Sequence, residues 1–326
     1  MGTVRKEGTK KRILALLESK RGQSVSGELI AEMFGVTRNA VWKVVKELEK
    51  DGYRIIAGTN RGYCLCEDND ILSVQGIIPF LTKREIADMI FVYPSLESTN
   101  KTAKEMAISE AGHGTVVIAD CQTAGRGRYG RSFYSPPASG IYMSLVLHPE
   151  QLGFHTPTLI TSFAAVAVCE AIEAISEKKP QIKWVNDIFL DGKKVCGIST
   201  EAVTDYESGN VQWVVVGIGI NFNESDFPED LRQIAGAIFT DPPTTRNHLA
   251  GEVINHMVNW QCGEKEMLDK YKKRLMMLGE RIYVTGIKTA YEAEAVGIDD
   301  IGRLIVKKDD GQIDLLYSGE ISIRSM

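Results

Sequence analysis

The sequence predicts a multidomain α+β protein, and three observations carry that reading. The first is a helix, turn, helix and hairpin succession within the first 66 residues; the second is a long middle stretch in which strand-like and helix-like runs interleave; the third is a change of texture at Gly279 to short alternating strands at turn-like spacing, the pattern of a small closed or nearly closed β-barrel.

Composition sets the bounds. At 326 residues the chain is long enough for two or three domains, and 44% hydrophobic with 25% charged residues excludes disordered and fibrous classes. The start, "MGTVRKEGTKKRIL", lacks the apolar stretch of a signal peptide, and no run of eighteen apolar residues occurs, so a cytoplasmic location without membrane insertion is expected. Six scattered cysteines contain one close pair, Cys64-x-Cys66, with no second pair or nearby histidine, which favours free thiols over a metal site. Charge is uneven: residues 1–66 hold thirteen Lys and Arg against seven Asp and Glu, a balance of +6, so a total of −5 leaves −11 for the rest. A basic head on an acidic body suggests that the head alone meets nucleic acid.

The head comes first in order. In "TKKRILALLESK" Ile13, Leu16 and Leu17 predict one apolar helical face. "SGELIAEMF" predicts a second helix from about Ser26 that stops at Gly35, and Ala31-x-x-x-Gly35 predicts a close crossing with the next. Thr37 caps a third, "TRNAVWKVVKELEKDG", whose inner stripe is Val41, Val45 and Leu48, leaving Arg38, Asn39, Lys43 and Lys46 outside. "YRIIAGTNRGYCL" then reads as two strands around Gly58–Gly62, a wing whose tip presents Arg61. This is a winged helix-turn-helix expected to bind DNA through phosphate contacts and base reading by the third helix; the alternative is a small basic bundle for protein contact. The acidic "CEDNDILS" reads as a linker, and domain boundaries are expected at 1–66, 67–79 (linker), 80–278 and 279–326.

In the middle, "MIFVYP", "GTVVIAD", "GIYMSLVLHP" and "VQWVVVGIGIN" predict strands. "STNKTAKEMAIS", "TLITSFAAVAVCEAIEAI" and "NHLAGEVINHMVNWQCGEKEMLDKYKKRLMM" predict helices between and after them. Beyond Gly279, "RIYVTG", "YEAEAVG", "GRLIVKK", "IDLLYSG" and "EISIR" predict the barrel strands.

The stretch "CQTAGRGRYGRSFYSP" contains Gly125-x-Gly127-x-x-Gly130, the string of a dinucleotide fingerprint. That motif needs a helix opening at its third glycine to hold the pyrophosphate, and "RSFYSPPASG" cannot start one. No Gly-Lys-Ser/Thr follows for a P-loop, nor are kinase motifs present. What remains is a glycine-loosened loop whose Arg126, Arg128 and Arg131 can gather round phosphate or carboxylate oxygens, ordering over a ligand with Phe133 packed on a flat or apolar group. Downstream, Lys183 ends a hydrophobic strand beside Asn186-Asp187, either as a functional cation or as an exposed strand-end lysine. Gly217 and Gly219 inside a strand mark a close approach, and Asn221 beyond them is a ligand contact or a turn.

Taken together, Ser98-Thr99-Asn100, Gln122, Gly125-Arg126-Gly127-Arg128-x-Gly130-Arg131, Lys183-Trp184-x-Asn186-Asp187, Lys194-x-x-Gly197-Ile198 and Gly217-x-Gly219-Ile220-Asn221 resemble, in order and spacing across about 120 residues, the biotin protein ligases. With the winged helix in front, the whole chain is similar to their bifunctional bacterial form, which also represses the biotin operon. The family usually has proline where this chain has Val185. The resemblance implies a central domain akin to class II aminoacyl-tRNA synthetases with a mixed sheet and a C-terminal SH3-like barrel. It implies ATP-dependent formation of biotinyl-5′-AMP, with Mg2+ at ligands the sequence does not assign. The biotinyl group then passes to a lysine of an acceptor domain in acetyl-CoA carboxylase or pyruvate carboxylase. Lys183, Arg128 and Arg126 are the implied catalytic cations; Ser98, Thr99, Asn100, Gln122, Gly125, Gly127 and Gly197 join them in holding biotin; Arg128, Arg131, Phe133, Asn186 and Asn221 face the adenylate. Ser98 or Thr99 also has the alternative of a plain helix cap. The resemblance further implies an adenylate-bound homodimer on operator DNA, contacted by Arg38, Asn39, Lys43, Lys46 and Arg61.

Overall fold

A computed structural model describes residues 8–58, 61–109, 111–153, 156–204, 211–223, 226–285, 290–317 and 320–323. Thr59 and Asn60 of the expected wing tip lie outside them, as does Arg324 of the last expected strand. The chain divides into two units, Met1–Ala87 with Pro243–Gly251, and Asp88–Pro242 with Glu252–Met326.

In the first unit, α1 (Thr9–Ser19), α2 (Gly27–Phe34) and α3 (Arg38–Lys50) precede an antiparallel hairpin of β1 (Ile55–Gly58) and β2 (Gly62–Leu65). Ser26 caps α2 by accepting from the amides of Glu28 and Leu29, and Thr37 caps α3 through Ala40. Ile13, Leu14, Leu17, Ile30, Val41, Val45 and Leu48 make the core with Tyr53 and Leu65. Leu14, not the expected Leu16, is the third core residue of α1: its face centres on Leu17, which leaves Leu16 partly buried at the flank. Gly35 also serves a different purpose from the one expected. It ends α2 at φ 65°, and a Cβ there would meet nothing within 4 Å, so the glycine supplies a left-handed cap and not a close helix crossing.

The acidic stretch after the wing is tied down. Asp70 accepts from the amide of Arg246 at 2.7 Å and from its Nε at 2.8 Å, while Asn247 accepts from the amide of Ser73 and donates to the carbonyl of Ile71. Arg246 and Asn247 are buried, a pairing across 176 positions that no local pattern announces. A helical turn, α4 (Val74–Ile77), follows inside the segment expected to be linker.

The second unit is organised by a seven-stranded sheet in the order β3-β4-β5-β9-β8-β7-β6. Its strands are β3 (Ile90–Tyr93), β4 (Thr115–Ala119), β5 (Gly140–Leu147), β6 (Gln181–Lys183), β7 (Asp187–Leu190), β8 (Lys193–Thr204) and β9 (Val211–Asn221). β3 and β4 pair in parallel and the others antiparallel, making the sheet mixed. β4 and β5 are buried along their whole length, as central strands covered on both faces must be. The helices of this part are α5 (Thr99–Ile108), the short α6 (Pro149–Leu152) and α7 (Ile160–Ile175), which is apolar nearly all round and correspondingly buried. The last expected helix is two, α8 (Arg246–Val258) and α9 (Glu264–Arg274), separated at "NWQCG" where Gly263 precedes the first turn of α9. β10 (Arg281–Thr285), β11 (Ala290–Ile298), β12 (Leu304–Lys307), β13 (Ile313–Leu316) and β14 (Glu320–Ile323) form an antiparallel sheet ordered β13-β12-β11-β10-β14. No helix among the described residues is long and apolar enough to cross a membrane.

Two glycines with positive φ offer a contrast. Gly35 faces open space, whereas a Cβ on Gly62 (φ 83°) would stand 2.1 Å from the Val25 carbonyl oxygen. Gly35→Ala is therefore expected to cost about 1–2 kcal/mol, the left-handed strain alone, and Gly62→Ala distinctly more, with the hairpin displaced. Chemical denaturation of the two variants checks this; equal losses would contradict it.

Candidate active site and nucleic-acid interface

The site is built on the sheet face that carries α5. Trp213 and Val215 of β9 share a core with Ala103 and Ala107 of α5, and strand alternation puts Gly217 and Gly219 on that same face. Without side chains they leave it bare. A Cβ at 217 would fall 2.1 Å from Asn100 Oδ1, and one at 219 would fall 2.5 Å from the Phe133 ring. The strand glycines thus mark a close approach, and the groups that approach are side chains of this chain. Gly197 and Ser199 of β8 pair with Gly219 and Gly217 and extend the floor.

At the α5 end the floor becomes polar. Ser98 precedes α5 but makes no side-chain cap hydrogen bond, and it is buried. Thr99 donates through its amide to Gln122 Oε1 at 2.8 Å, and its hydroxyl oxygen lies 3.1 Å from the same atom. Gln122 Nε2 then donates to Ser135 at 3.0 Å. Ser98, Thr99, Asn100, Gln122, Arg126, Gly127, Arg128 and Gly197 line one narrow slot of about 50 Å3, with Phe133 as its wall.

The glycine-arginine stretch closes on itself as a small hairpin. Gly127 donates to the Arg131 carbonyl at 2.7 Å, and Phe133 to that of Gly125 at 2.9 Å, around a 3-10 turn at Arg128–Gly130. No helix opens at Gly130, so the geometry a dinucleotide pyrophosphate needs is missing, as the sequence implied. Arg128 reaches across to donate to Asn186 Oδ1 at 2.9 Å, and Asn186 donates to the Ile198 carbonyl at 2.7 Å.

A second cavity, of about 550 Å3, is lined by Lys183, Lys194, Arg128 and Arg131 together with Asp187, and it shares Gly127, Arg128, Phe133, Asn186 and Lys194 with the lining of the slot. The C-terminal sheet adds Thr285 and Ile321 to its wall. Lys194 Nζ lies 2.7 Å from Asp187 Oδ1, so four cations face one carboxylate and the cavity is suited to a polyanion. Lys183 ends β6 with Nζ 5.8 Å from the centre of the Phe189 ring, and both residues lie in this lining. The peptide between Trp184 and Val185 is cis, and Tyr271 donates to the Val185 carbonyl.

Two expected contacts are not brought in. Gly125 is packed under Gln122 and Ser135, and the amide of Asn221 donates to the Gly236 carbonyl at 3.0 Å; neither lines the slot or the cavity. One residue was passed over: Lys194, which lines both compartments. Its signal was the motif it shares with Gly197. Among the described residues no group of three or more His, Cys, Asp or Glu could hold a metal, and all six cysteines are free.

On the first unit, Arg38, Asn39, Lys43 and Lys46 stand on the exposed face of α3, and Arg61 is exposed at the wing. Lys46 is paired with Glu49 at 2.6 Å. Trp42, 49% exposed amid these cations, was missed because a large apolar residue in an amphipathic helix reads as core.

Three family descriptions match the chain: "HTH domain" over residues 9–64, "Biotin/lipoate A/B protein ligase family" over 92–221, and "Biotin protein ligase C terminal domain" over 277–324. The bifunctional ligase/repressor BirA of Bacillus subtilis is 36% identical, the alignment covering 96% of this chain and 98% of that one. Its Escherichia coli counterpart is 29% identical, with 96% and 97% covered. Among solved structures, the biotin protein ligase from Aquifex aeolicus in complex with biotin and ATP superimposes with a TM-score of 0.62 at 28% identity, covering 73% of this chain and 99% of that one. The order of the domains, the residues on the bare strand face and the similarity over nearly the full length agree: the chain belongs to the biotin protein ligases, in their bifunctional ligase/repressor form.

Proposed function

We propose that this chain activates biotin with ATP to biotinyl-5′-AMP, passes the biotinyl group to a lysine of a biotin-acceptor domain in acetyl-CoA carboxylase or pyruvate carboxylase, and represses the biotin operon when the adenylate is bound. The observation that carries the reading is the shared wall of two compartments: a narrow slot with a polar end and a cationic cavity have Gly127, Arg128, Phe133, Asn186 and Lys194 in common. A small molecule with a polar bicyclic head, an apolar arm and a carboxylate at the far end fits that sequence of surfaces. Its carboxylate would emerge beside Arg128, within the domain of Lys183 and Lys194, where the phosphates of ATP belong.

The chemistry follows from charge. A carboxylate oxygen attacks the α-phosphorus, the bond to the β-phosphate oxygen breaks, and pyrophosphate leaves. An acceptor amine, having lost its proton, then attacks the acyl carbon and AMP departs. Both transition states gather negative charge on oxygen, and prealigned cations in a partly closed site lower it. Lys183 is assigned to the carboxylate and α-phosphate oxygens, with Arg126, Arg128 and Arg131 on phosphate oxygens. The Arg128–Asn186 bond holds the loop across the opening and would keep the reactive anhydride from water. Ser98, Thr99, Asn100 and Gln122 take the biotin head, with the backbone at Gly127 and Gly197 beside it, and Phe133 covers it. Asp187 is the carboxylate of the cavity lining among the described residues, so a Mg2+ ion fits here mainly through the phosphates it accompanies, with at most this protein ligand. When bound, it shares the phosphate charge.

The finer architecture belongs to the same proposal: boundaries at 1–66, 67–79, 80–278 and 279–326, a synthetase-like central domain, an SH3-like C-terminal barrel, a cytoplasmic location and an adenylate-dependent homodimer on operator DNA. The exposed Arg38, Asn39 and Lys43, with Lys46 and Arg61, support the DNA contact.

Lys183→Ala should lower biotin-dependent exchange of pyrophosphate into ATP by about 100- to 1000-fold, the usual effect of deleting one group that stabilises developing oxyanion charge. An unchanged exchange rate would remove Lys183 from the chemistry. A gel shift on the chain's own upstream DNA is expected to appear with biotin and ATP together and to weaken as salt rises; a shift indifferent to the two substrates would contradict the repressor reading.

A further inference from the structure

We infer that Glu201, which lines neither compartment, is a positioning residue that sets the direction of the hydrogen bonds offered at the polar end of the slot. The inference rests on the proposed biotin site and adds a determinant of its specificity. Glu201 lies on β8 two residues beyond Ser199, on the same face, with its side chain 44% exposed and paired to Lys104 at 2.7 Å.

The argument follows the protons. A carboxylate only accepts, so Asn100 must turn its Nδ2 toward Glu201, at 2.9 Å, and toward Ser199, at 3.1 Å. That commits Asn100 Oδ1 to accepting, and it takes the hydroxyl proton of Ser144 at 2.6 Å. Ser144 is fully buried and has one proton to give. Having spent it on Asn100, it accepts the hydroxyl proton of Thr99 across the 2.8 Å that separates the two oxygens. Thr99 Oγ1 therefore keeps its lone pairs, and Gln122 Oε1, held by Thr99 and with Nε2 engaged at Ser135, also faces the slot as an acceptor. The polar end is set to receive N–H donors, which the ureido edge of biotin carries.

Ionisation of Glu201 is consistent with this direction. Burial pushes its carboxyl up, but the hydrogen bonds from Lys104 and Asn100 and the charge of Lys104 outweigh that and hold it below the usual carboxylate range. The bareness of Gly217 completes the arrangement, because a Cβ there would displace Asn100 Oδ1.

Reversing the pair separates this role from a structural one. In the double variant Lys104→Glu with Glu201→Lys the surface ion pair is retained, but position 201 now donates. Asn100 should flip its amide, Ser144 should turn its proton to Thr99, and the acceptors of the slot should be consumed. The full-length double variant, with an unfolding midpoint close to that of the unaltered chain, is expected to bind biotin roughly tenfold more weakly in calorimetry, the effect of about one misdirected hydrogen bond. The loss should appear in KM for biotin with kcat unchanged, because Glu201 lines neither compartment and Lys183 lines the cationic one. Lys104→Met, which breaks the ion pair but leaves Glu201 as an acceptor, should bind biotin as the unaltered chain does. Equal binding by the reversed pair, or an equal loss in Lys104→Met, would overturn the inference while leaving the biotin site in place. Absence of biotin binding by the unaltered chain would overturn the site reading and this inference with it.

Discussion

The site depends on a strip of sheet that carries no side chains. β9 is apolar and packed against α5 through Val215, and then for two alternate positions it is bare. Every adjoining feature uses that gap. Asn100 lies against Gly217, Phe133 lies against Gly219, and the paired Gly197 of β8 lets the Lys194 side chain pass close to the floor. A glycine in a central strand costs stability and side-chain packing. Here the cost is offset by burial on both sides of the sheet: β5, beside β9, is buried throughout, and the other face of β9 remains apolar at Val214, Val216, Ile218 and Ile220. The sheet thus supplies the floor of the recess, and the loop after β4 supplies its wall at Phe133.

Positive charge is arranged round that recess by elements from distant parts of the chain. The loop after β4 brings Arg126, Arg128 and Arg131, the end of β6 brings Lys183, and the start of β8 brings Lys194. Arg128 is the joint between them, since its bond to Asn186 fastens the glycine-arginine hairpin to the β6–β7 turn. The hairpin closes on itself through Gly127 and Arg131 and through Phe133 and Gly125, which is a different use of three glycines from the dinucleotide turn they spell as a string.

Much of this was legible locally. The cap at Thr37, the start of α2 near Ser26, the wing and the three apolar residues of α3 follow from rules that act over one or two turns. The absent helix after Gly130 was legible for the same reason, since two prolines and a glycine forbid it. What escaped was non-local or ambiguous by type. Leu14 and Leu16 differ only in which side of Leu17 the partner helices lie. Gly35 fits both a helix crossing and a left-handed cap, and only its φ distinguishes them. The clamp of Asp70 by Arg246, the bond of Asn221 to Gly236 and the position of Lys194 at both compartments are pairings across the fold that leave no periodic trace.

The account is tested most directly by incubating the full chain with biotin, ATP, Mg2+ and a biotin-acceptor domain, and weighing the acceptor intact. A gain of one biotinyl group on one lysine, dependent on both biotin and ATP and lost with Lys183→Ala, is the expected result. An acceptor of unchanged mass, from a chain that still binds biotin, would contradict the claim that slot and cavity act as one catalytic site.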